Sequence, residues 1–297
     1  MSLQSLLERH AMRQPFVMAL GVRNIETGEE VSVNGSELFP MASTFKVPVL
    51  YTLMHLVDRR EVSLEERIRV PEGPALGSGA LPHFHRGVEL TVRDLAYLMI
   101  IISDNLATDL LVDRIGGLEK VNMLMAKLGL HNIHVRMDCY HLLCEGLGLD
   151  PDNRELLTEI IANPEKMESL SFSESSLIFR QVPENNVASP TDMCRLLSEI
   201  VRPTQLSPEA SKEIVKIMGH QHLRQRIPAL LPDKLHVINK TGTVRGTRCD
   251  VGVLMMDSGP VAISAFLHNV PENMGWDGDL AIAQAARLVH DYYLDSH

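Results

Sequence analysis

Aromatic residues are scarce in this chain of 297 residues: one Trp, five Tyr and seven Phe. Its core must therefore be filled by aliphatic side chains and Met, and the fifteen methionines fit that use. Cysteine is equally sparse. Cys139, Cys144, Cys194 and Cys249 form no C-x-x-C pair and no zinc-ligand spacing, so neither a thiol redox motif nor a zinc module is indicated. Nothing asks for a disulfide. Blocks of Lys and Arg are missing and the formal net charge is −10, which argues against nucleic acid and anionic membranes as partners. No run is apolar and long enough to span a bilayer. The opening "MSLQSLLERHAMRQ" reads as an amphipathic helix, without the basic start and apolar stretch of a signal peptide. Two locations stay open: the cytoplasm, or the periplasm or exterior if a leader has been removed.

What is present is enough apolar material for a large core, with 45% hydrophobic residues, in one big domain or two interleaved ones. Strand signals cluster at the two ends. "FVMALGVRNIETGEEVSVNG" holds two β-rich runs around turn residues, a hairpin at about residues 16–34. "LHVINKTGTV" and "CDVGVLMMDSGPVAISAFLHN" read as three more strands. Helical periodicity dominates between them, and "WDGDLAIAQAARLVHDYYLD" closes the chain as a helix. The predicted fold class is α+β: a five-stranded antiparallel sheet built from both termini, flanked by terminal helices, with an all-helical domain inserted. The predicted division is 1–41 with 187–297 for the α/β domain and 42–186 for the insert, the active site lying between them. Residues 141–187, with scattered Gly, Pro, Asn and Ser, are predicted to be irregular.

Chemistry first shows in "FPMASTFKVPVL", residues 39–50. Ser43 and Lys46 are three apart, almost one helical turn, so on a helix they share a face. Pro48 is tolerated only in a first turn, which predicts a helix start near Thr44. Ser43 then sits at the N-terminal edge, where free N–H groups and the dipole favour developing negative charge. The pair suits a nucleophile and its base. It equally suits an N-capping serine and a surface lysine, so it decides nothing alone. "PHFHRG" and "GHQH" put His83, His85 and His220, His222 at H-x-H spacing, but without a third ligand nearby they read as loop histidines, and no metal is expected.

Two further triplets follow: "SDN" at Ser103–Asn105, at the junction of two helical runs, and "KTG" at Lys240–Gly242, on the first C-terminal strand. S-x-x-K, S-D-N and K-T-G in this order resemble the signature of class A β-lactamases and penicillin-binding proteins. "FPMASTFK", "LTVRDLAYLMIIISDNLATDLL" with "IGG", and "NVASPTDMCRLL" resemble class A stretches too, and the likeness runs from about residue 15 to the C-terminus. It implies that Ser43 is acylated, that Lys46 is its base once burial and Lys240 lower its pKa, and that Ser103 and Lys240 relay a proton to the leaving nitrogen. Asn105 would hold the substrate's amide side chain and Asp104 would brace its loop. The amides of Ser43 and Thr243 would form the oxyanion hole. Thr241, Gly242 and Arg248 would line the substrate site, Arg248 binding a carboxylate, although it also reads as a solvent-facing strand residue.

The family's deacylating loop has the form R-x-D-x-x-E-x-x-x-N. Here "RMDCYHLLCE" keeps Arg136 and Asp138, which match the loop's bracing residues, but has His141 for the glutamate and Glu145 for the asparagine. His141 and Glu145, four apart, would meet on one helical turn, which makes them a candidate deacylating pair; Glu155 is a fallback base. The resemblance implies a serine hydrolase acting on a β-lactam or related amide or ester. A D-alanyl peptidase, esterase or acyltransferase of the same fold is a second reading, and a slowly deacylating penicillin-binding or sensor module a third. The expected partner is a small molecule bearing a carboxylate, with no cofactor, on a monomer.

Overall fold

The computed structural model describes residues 1–71, 76–85 and 87–295. The chain opens with helix α1 (Leu3–Met12) and the hairpin β1 (Val17–Asn24) and β2 (Glu30–Val33). A short strand β3 (Phe39–Pro40) leads through a 3-10 turn (Ala42–Phe45) into α2 (Lys46–Asp58). The insert continues with β4 (Arg67–Arg69), β5 (Glu89–Thr91), α3 (Val92–Ile101), α4 (Asn105–Ile115), α5 (Leu118–Lys127), β6 (Ile133–His134), α6 (Cys139–Leu147), α7 (Arg154–Ala162) and α8 (Pro164–Ser169). Strand β7 (Val187–Ala188), α9 (Pro190–Val201) and α10 (Pro208–Gly219) return the chain to β8 (His236–Val244), β9 (Thr247–Met256), β10 (Gly259–His268) and α11 (Gly275–Asp295).

The large sheet has the order β2-β1-β10-β9-β8, so chain-distant strands pair at its centre: Leu20 lies opposite Ala265 and Val22 opposite Ile263. All its ladders are antiparallel. Alternation along β10 sends Val261, Ile263 and Ala265 into a layer with Leu3 and Leu7 of α1 and Ile282 and Val289 of α11. Ala262 and Phe266 point the other way, into the core shared with α9 and the insert. Strand β8 is an edge, and its outer side faces the turn at Ala42–Phe45. The α+β layout expected from periodicity is present, with two further small ladders, β4–β5 and β3–β7–β6. No helix among the described residues is long and apolar enough to cross a membrane.

Residues 141–187 differ from expectation, because they hold most of α6 and all of α7 and α8. Each begins at a side-chain cap that periodicity does not score. Asp138 accepts the His141 amide, Asn153 that of Leu156, and Asn163 those of Glu165 and Lys166. Helix α2 starts at Lys46 rather than Thr44, because the preceding residues take 3-10 geometry; Pro48 still falls in its first turn.

Candidate active site

Ser43 stands inside the 3-10 turn, directly after Ala42, whose φ of 42° is a left-handed conformation uncommon for a residue with a side chain. The turn is pressed against β8. A Cβ on Gly242 would fall 2.6 Å from Met41 O and 3.0 Å from Ser43 N, so only glycine lets strand and turn approach this closely. Residues two hundred positions apart are thereby held side by side.

Lys46, the first residue of α2, is fully buried. Its ammonium donates to Ser103 O (2.7 Å), Asn105 Oδ1 (2.8 Å) and Ser103 Oγ (3.2 Å). Lys240 Nζ, also fully buried, donates to the same Ser103 Oγ at 2.9 Å and to Thr241 O at 2.7 Å. Ser103 adopts φ 61° between α3 and α4, which aims its hydroxyl between the two amines. The buried Asp104 caps α4 through Ala107 N and takes the amides of Ala80 and Leu81 at 2.7 Å, the bracing use expected of it.

Burial lowers the Lys46 pKa, partly countered by the neighbouring Cys139, Asp109 and Asp104. Burial also drives Lys240 well below its ordinary value, and repulsion from Lys46 adds to this. Burial and Lys240 were both expected to lower Lys46; burial is the first cause for each lysine, and the repulsion between them is felt at Lys240.

In front of this network is a cavity of about 440 Å³, lined by Ser43, Asn105, Thr243 and Arg248 among others. Lys46, Ser103, Lys240 and Thr241 form the buried layer behind. Arg248 is not simply solvent-facing: a Cβ on Gly275 would fall 2.3 Å from its Nη2, so α11 begins on a glycine that leaves the guanidinium room.

Sequence reasoning missed Arg226. It is 1% exposed, pairs with Asp279 Oδ1 at 2.6 Å, donates to the carbonyls of Gly242 (2.7 Å) and Cys249 (2.6 Å), and reaches Thr243 Oγ1 at 2.6 Å. No local motif flags it, since every partner is distant in the chain. Asp250, buried on β9 opposite Thr241, is pushed up to about 6 by desolvation and accepts from Asn239 Nδ2 and Ile227 N.

A family model described as the beta-lactamase enzyme family matches residues 2–293. The chain belongs to this family. Among its relatives is the beta-lactamase regulatory protein BlaB of Streptomyces cacaoi, 27% identical over 91% of this chain and 90% of that protein. A shorter stretch is 33% identical to Beta-lactamase L2 of Stenotrophomonas maltophilia, spanning 37% of each chain. Among solved structures, PBP-A is 26% identical with a TM-score of 0.78, over 99% of this chain and 96% of that one. A PBP-A mutant in which glutamate replaces a leucine, solved as an acyl-enzyme complex with penicillin-G, gives the same values. An ancestral class A β-lactamase shares the fold, with a TM-score of 0.79 at 22% identity over 98% of this chain and all of that one.

Within this β-lactamase fold, the contact expected between His141 and Glu145 at the deacylating loop is absent. His141 does not meet Glu145. Its Nδ1 lies 2.8 and 2.9 Å from the Asp138 carboxylate, and the ring is more than half exposed. Glu145 instead accepts from Leu177 N (3.0 Å) and Ser176 Oγ (3.3 Å). Neither lines the cavity, and neither does Glu155, exposed on α7. The physical reason is how α6 is rotated. Asp109, on α4 one turn beyond Asn105, accepts the amides of Cys139 (2.7 Å) and Tyr140 (3.0 Å) and pins the start of α6. That sets Cys139, Leu142 and Leu143 toward the cavity. Desolvation, with repulsion from Asp138, raises Asp109 to about 7. Arg136, matched by sequence to a loop brace, donates to Pro183 O at 2.9 Å.

Proposed function

We propose that this protein is a serine acyl hydrolase of the β-lactamase type, in which Ser43 attacks a β-lactam or a related carboxylate-bearing amide or ester and becomes acylated. The observation that carries this reading is the buried Lys46–Ser103–Lys240 network directly behind a cavity lined by Ser43. A serine hydroxyl needs a base, and Lys46, three residues on at the start of α2 and with its pKa lowered by burial, is the group assigned that role. Both amines can donate to Ser103 Oγ, which leaves the Ser103 hydrogen free to protonate the leaving nitrogen.

The oxyanion would be met by the amides of Ser43 and Thr243. Val244 and Thr247 close the β8–β9 hairpin, so the adjacent pair Thr243–Arg248 is the non-hydrogen-bonded kind. Since β8 is an edge, its Thr243 amide is left for the cavity. Arg226 donates to Thr243 Oγ1, which orients that hydroxyl to donate to a substrate carboxylate beside Arg248.

Water activation is a different matter. The α6 wall offers Cys139, Leu142 and Leu143, none of them a base for deacylation; Cys139 is pushed far up by burial. Slow release of the acyl group follows, which favours a lasting penicillin adduct over rapid hydrolysis. The regulatory relative supports that side of the reading. Incubation with penicillin-G followed by intact-protein mass spectrometry tests it. A mass increase equal to the whole drug, persisting for many minutes, supports the proposal. No adduct and no hydrolysis would refute it.

A further inference from the structure

The lining of the catalytic cavity is chemically divided. Thr243 and Arg248, the pair given the substrate carboxylate above, lie opposite each other on β8 and β9. Leu142, Leu143 and Phe172 line another part, and they come from α6 and from the chain that returns after α8. Helix α6 packs on α4 and on the 3-10 turn Leu177–Phe179, so this second wall belongs to the helical insert. It carries no charge. Among the described residues, the charged lining groups besides Arg248 are Arg245 and Glu272, and these pair with each other at 2.7 Å.

Phe172 is held in this wall from several sides. Its ring rests on α6 at Gly146, where a Cβ would fall 2.7 Å from Phe172 Cδ1, so the helix needs a glycine at that seat. Phe179 meets the ring edge to face, at 6.0 Å and 83°. The backbone around it is tied at three places. Ser173 N donates to Gly146 O (2.8 Å), Arg245 Nη1 to Phe172 O (3.3 Å), and Leu177 N to Glu145 Oε1 (3.0 Å). A half-buried aromatic ring fixed this way, beside two leucines in a cavity wall, is a built apolar binding surface.

We infer that Leu142, Leu143 and Phe172 receive the acyl half of the substrate, that this half bears an uncharged, ring-sized apolar group, and that Phe172 sets the preference for it. The inference rests on Ser43 being the acylated residue. With the carboxylate of the leaving half at Thr243 and Arg248, the acyl half takes the part of the lining that remains, which is the α6 wall. A charged acyl arm finds no free partner there and loses hydration that nothing replaces. The substrate class is thus an amide or ester with its carboxylate on the leaving side and an aryl-like group on the acyl side. Peptides with a charged acyl arm fit it poorly.

The test uses three penicillins that share one nucleus and differ in the acyl arm: phenylacetyl (penicillin-G), acetyl, and α-carboxyphenylacetyl (carbenicillin). Acylation rate constants come from competition with a fluorescent penicillin. The phenylacetyl arm should react at least about tenfold faster than the acetyl arm, the low end for burying a ring, and faster than the carboxylated arm. Phe172→Ala should narrow the phenylacetyl-to-acetyl ratio to about twofold, while Phe172→Leu, still apolar, should keep it above about fivefold. A merely structural Phe172 would slow both arms alike and leave the ratio unchanged. Equal rates in the parent, a preference for carbenicillin, or an unchanged ratio in Phe172→Ala overturns the pocket. Should no penicillin acylate the protein, the acyl-enzyme reading fails, and binding decides the pocket separately. In Ser43→Ala, calorimetric titration should show N-phenylacetylglycine binding at least about tenfold more tightly than N-acetylglycine, and adding Phe172→Ala should remove most of that difference. Equal binding of the two glycines to Ser43→Ala overturns the proposal whatever Ser43 does.

Discussion

Lys46 and Lys240 share one acceptor: both donate to Ser103 Oγ, at 3.2 and 2.9 Å. Their nitrogens therefore lie within about 6 Å, where two full charges repel by roughly 3 kcal/mol at an effective dielectric near 20. Both are also fully buried. Burial lowers the pKa of both amines, and the repulsion adds to the larger lowering at Lys240.

Ser43→Ala should abolish labelling by a fluorescent penicillin while the melting temperature moves little. Labelling of that variant at another serine would reassign the nucleophile.

Lys46→Arg keeps the charge but cannot deprotonate, so acylation should fall by about 10² to 10⁴. In the parent, acylation needs neutral Lys46. Its rate should drop as pH falls below the lowered lysine pKa and level off above it. Stopped-flow acylation across pH gives the profile, and an arginine variant within a few-fold of the parent would remove Lys46 from the chemistry.

The turned-away positions on α6 make a paired prediction. His141→Ala and Glu145→Gln should leave the adduct lifetime unchanged, since neither side chain reaches the cavity. Leu142→Glu places a carboxylate on the cavity wall and should shorten the lifetime by at least tenfold, the lower range of general-base help. Time-resolved mass spectrometry reads all three.

Gly242→Ala should be costly. Its Cβ would lie 2.6 Å from Met41 O, a backbone atom that cannot step aside cheaply. Overpacking of this kind costs typically about 1–3 kcal/mol, and separating β8 from the Ser43 turn should also slow acylation. Urea denaturation and labelling rates check the two effects.

Asp109 gives a pH signature. Its carboxyl is raised from 3.8 to about 7, so the folded state holds a proton that the unfolded chain has lost. Stability from this group is greatest at low pH, declines as pH rises from about 4, and is gone above about 7. Asp109→Asn lacks that decline. Its stability relative to the parent should improve by about 2–4 kcal/mol between pH 4 and 8, measured by denaturant titration.

The strands, the core helices and the three motifs were legible because each signal is local: alternation, 3.6-residue periodicity, a proline in a first turn. The roll of α6 was not. His141 and Glu145 do lie one turn apart, but which way that face points is set by Asp109, thirty residues earlier, accepting the amides of Cys139 and Tyr140. Asp138, read only as a loop brace, captures the histidine. Arg226 was invisible for the same reason, since Asp279 and the Gly242 carbonyl are neighbours only after folding.

Strand β1 pairs on one side with β2, completed within a dozen residues, and on the other with β10, which begins at Gly259. During synthesis at about 5–20 residues per second, β1 therefore waits on the order of 10–50 s for its central partner. The hairpin leaves the ribosome with one edge open, and an isolated two-stranded hairpin is marginal in water. The centre of the fold therefore forms late: the sheet closes only once β10 has emerged, and Lys240 meets Lys46 only once β8 has. A factor that shields strand edges on nascent chains should raise the yield of active protein more than it raises the yield of soluble protein.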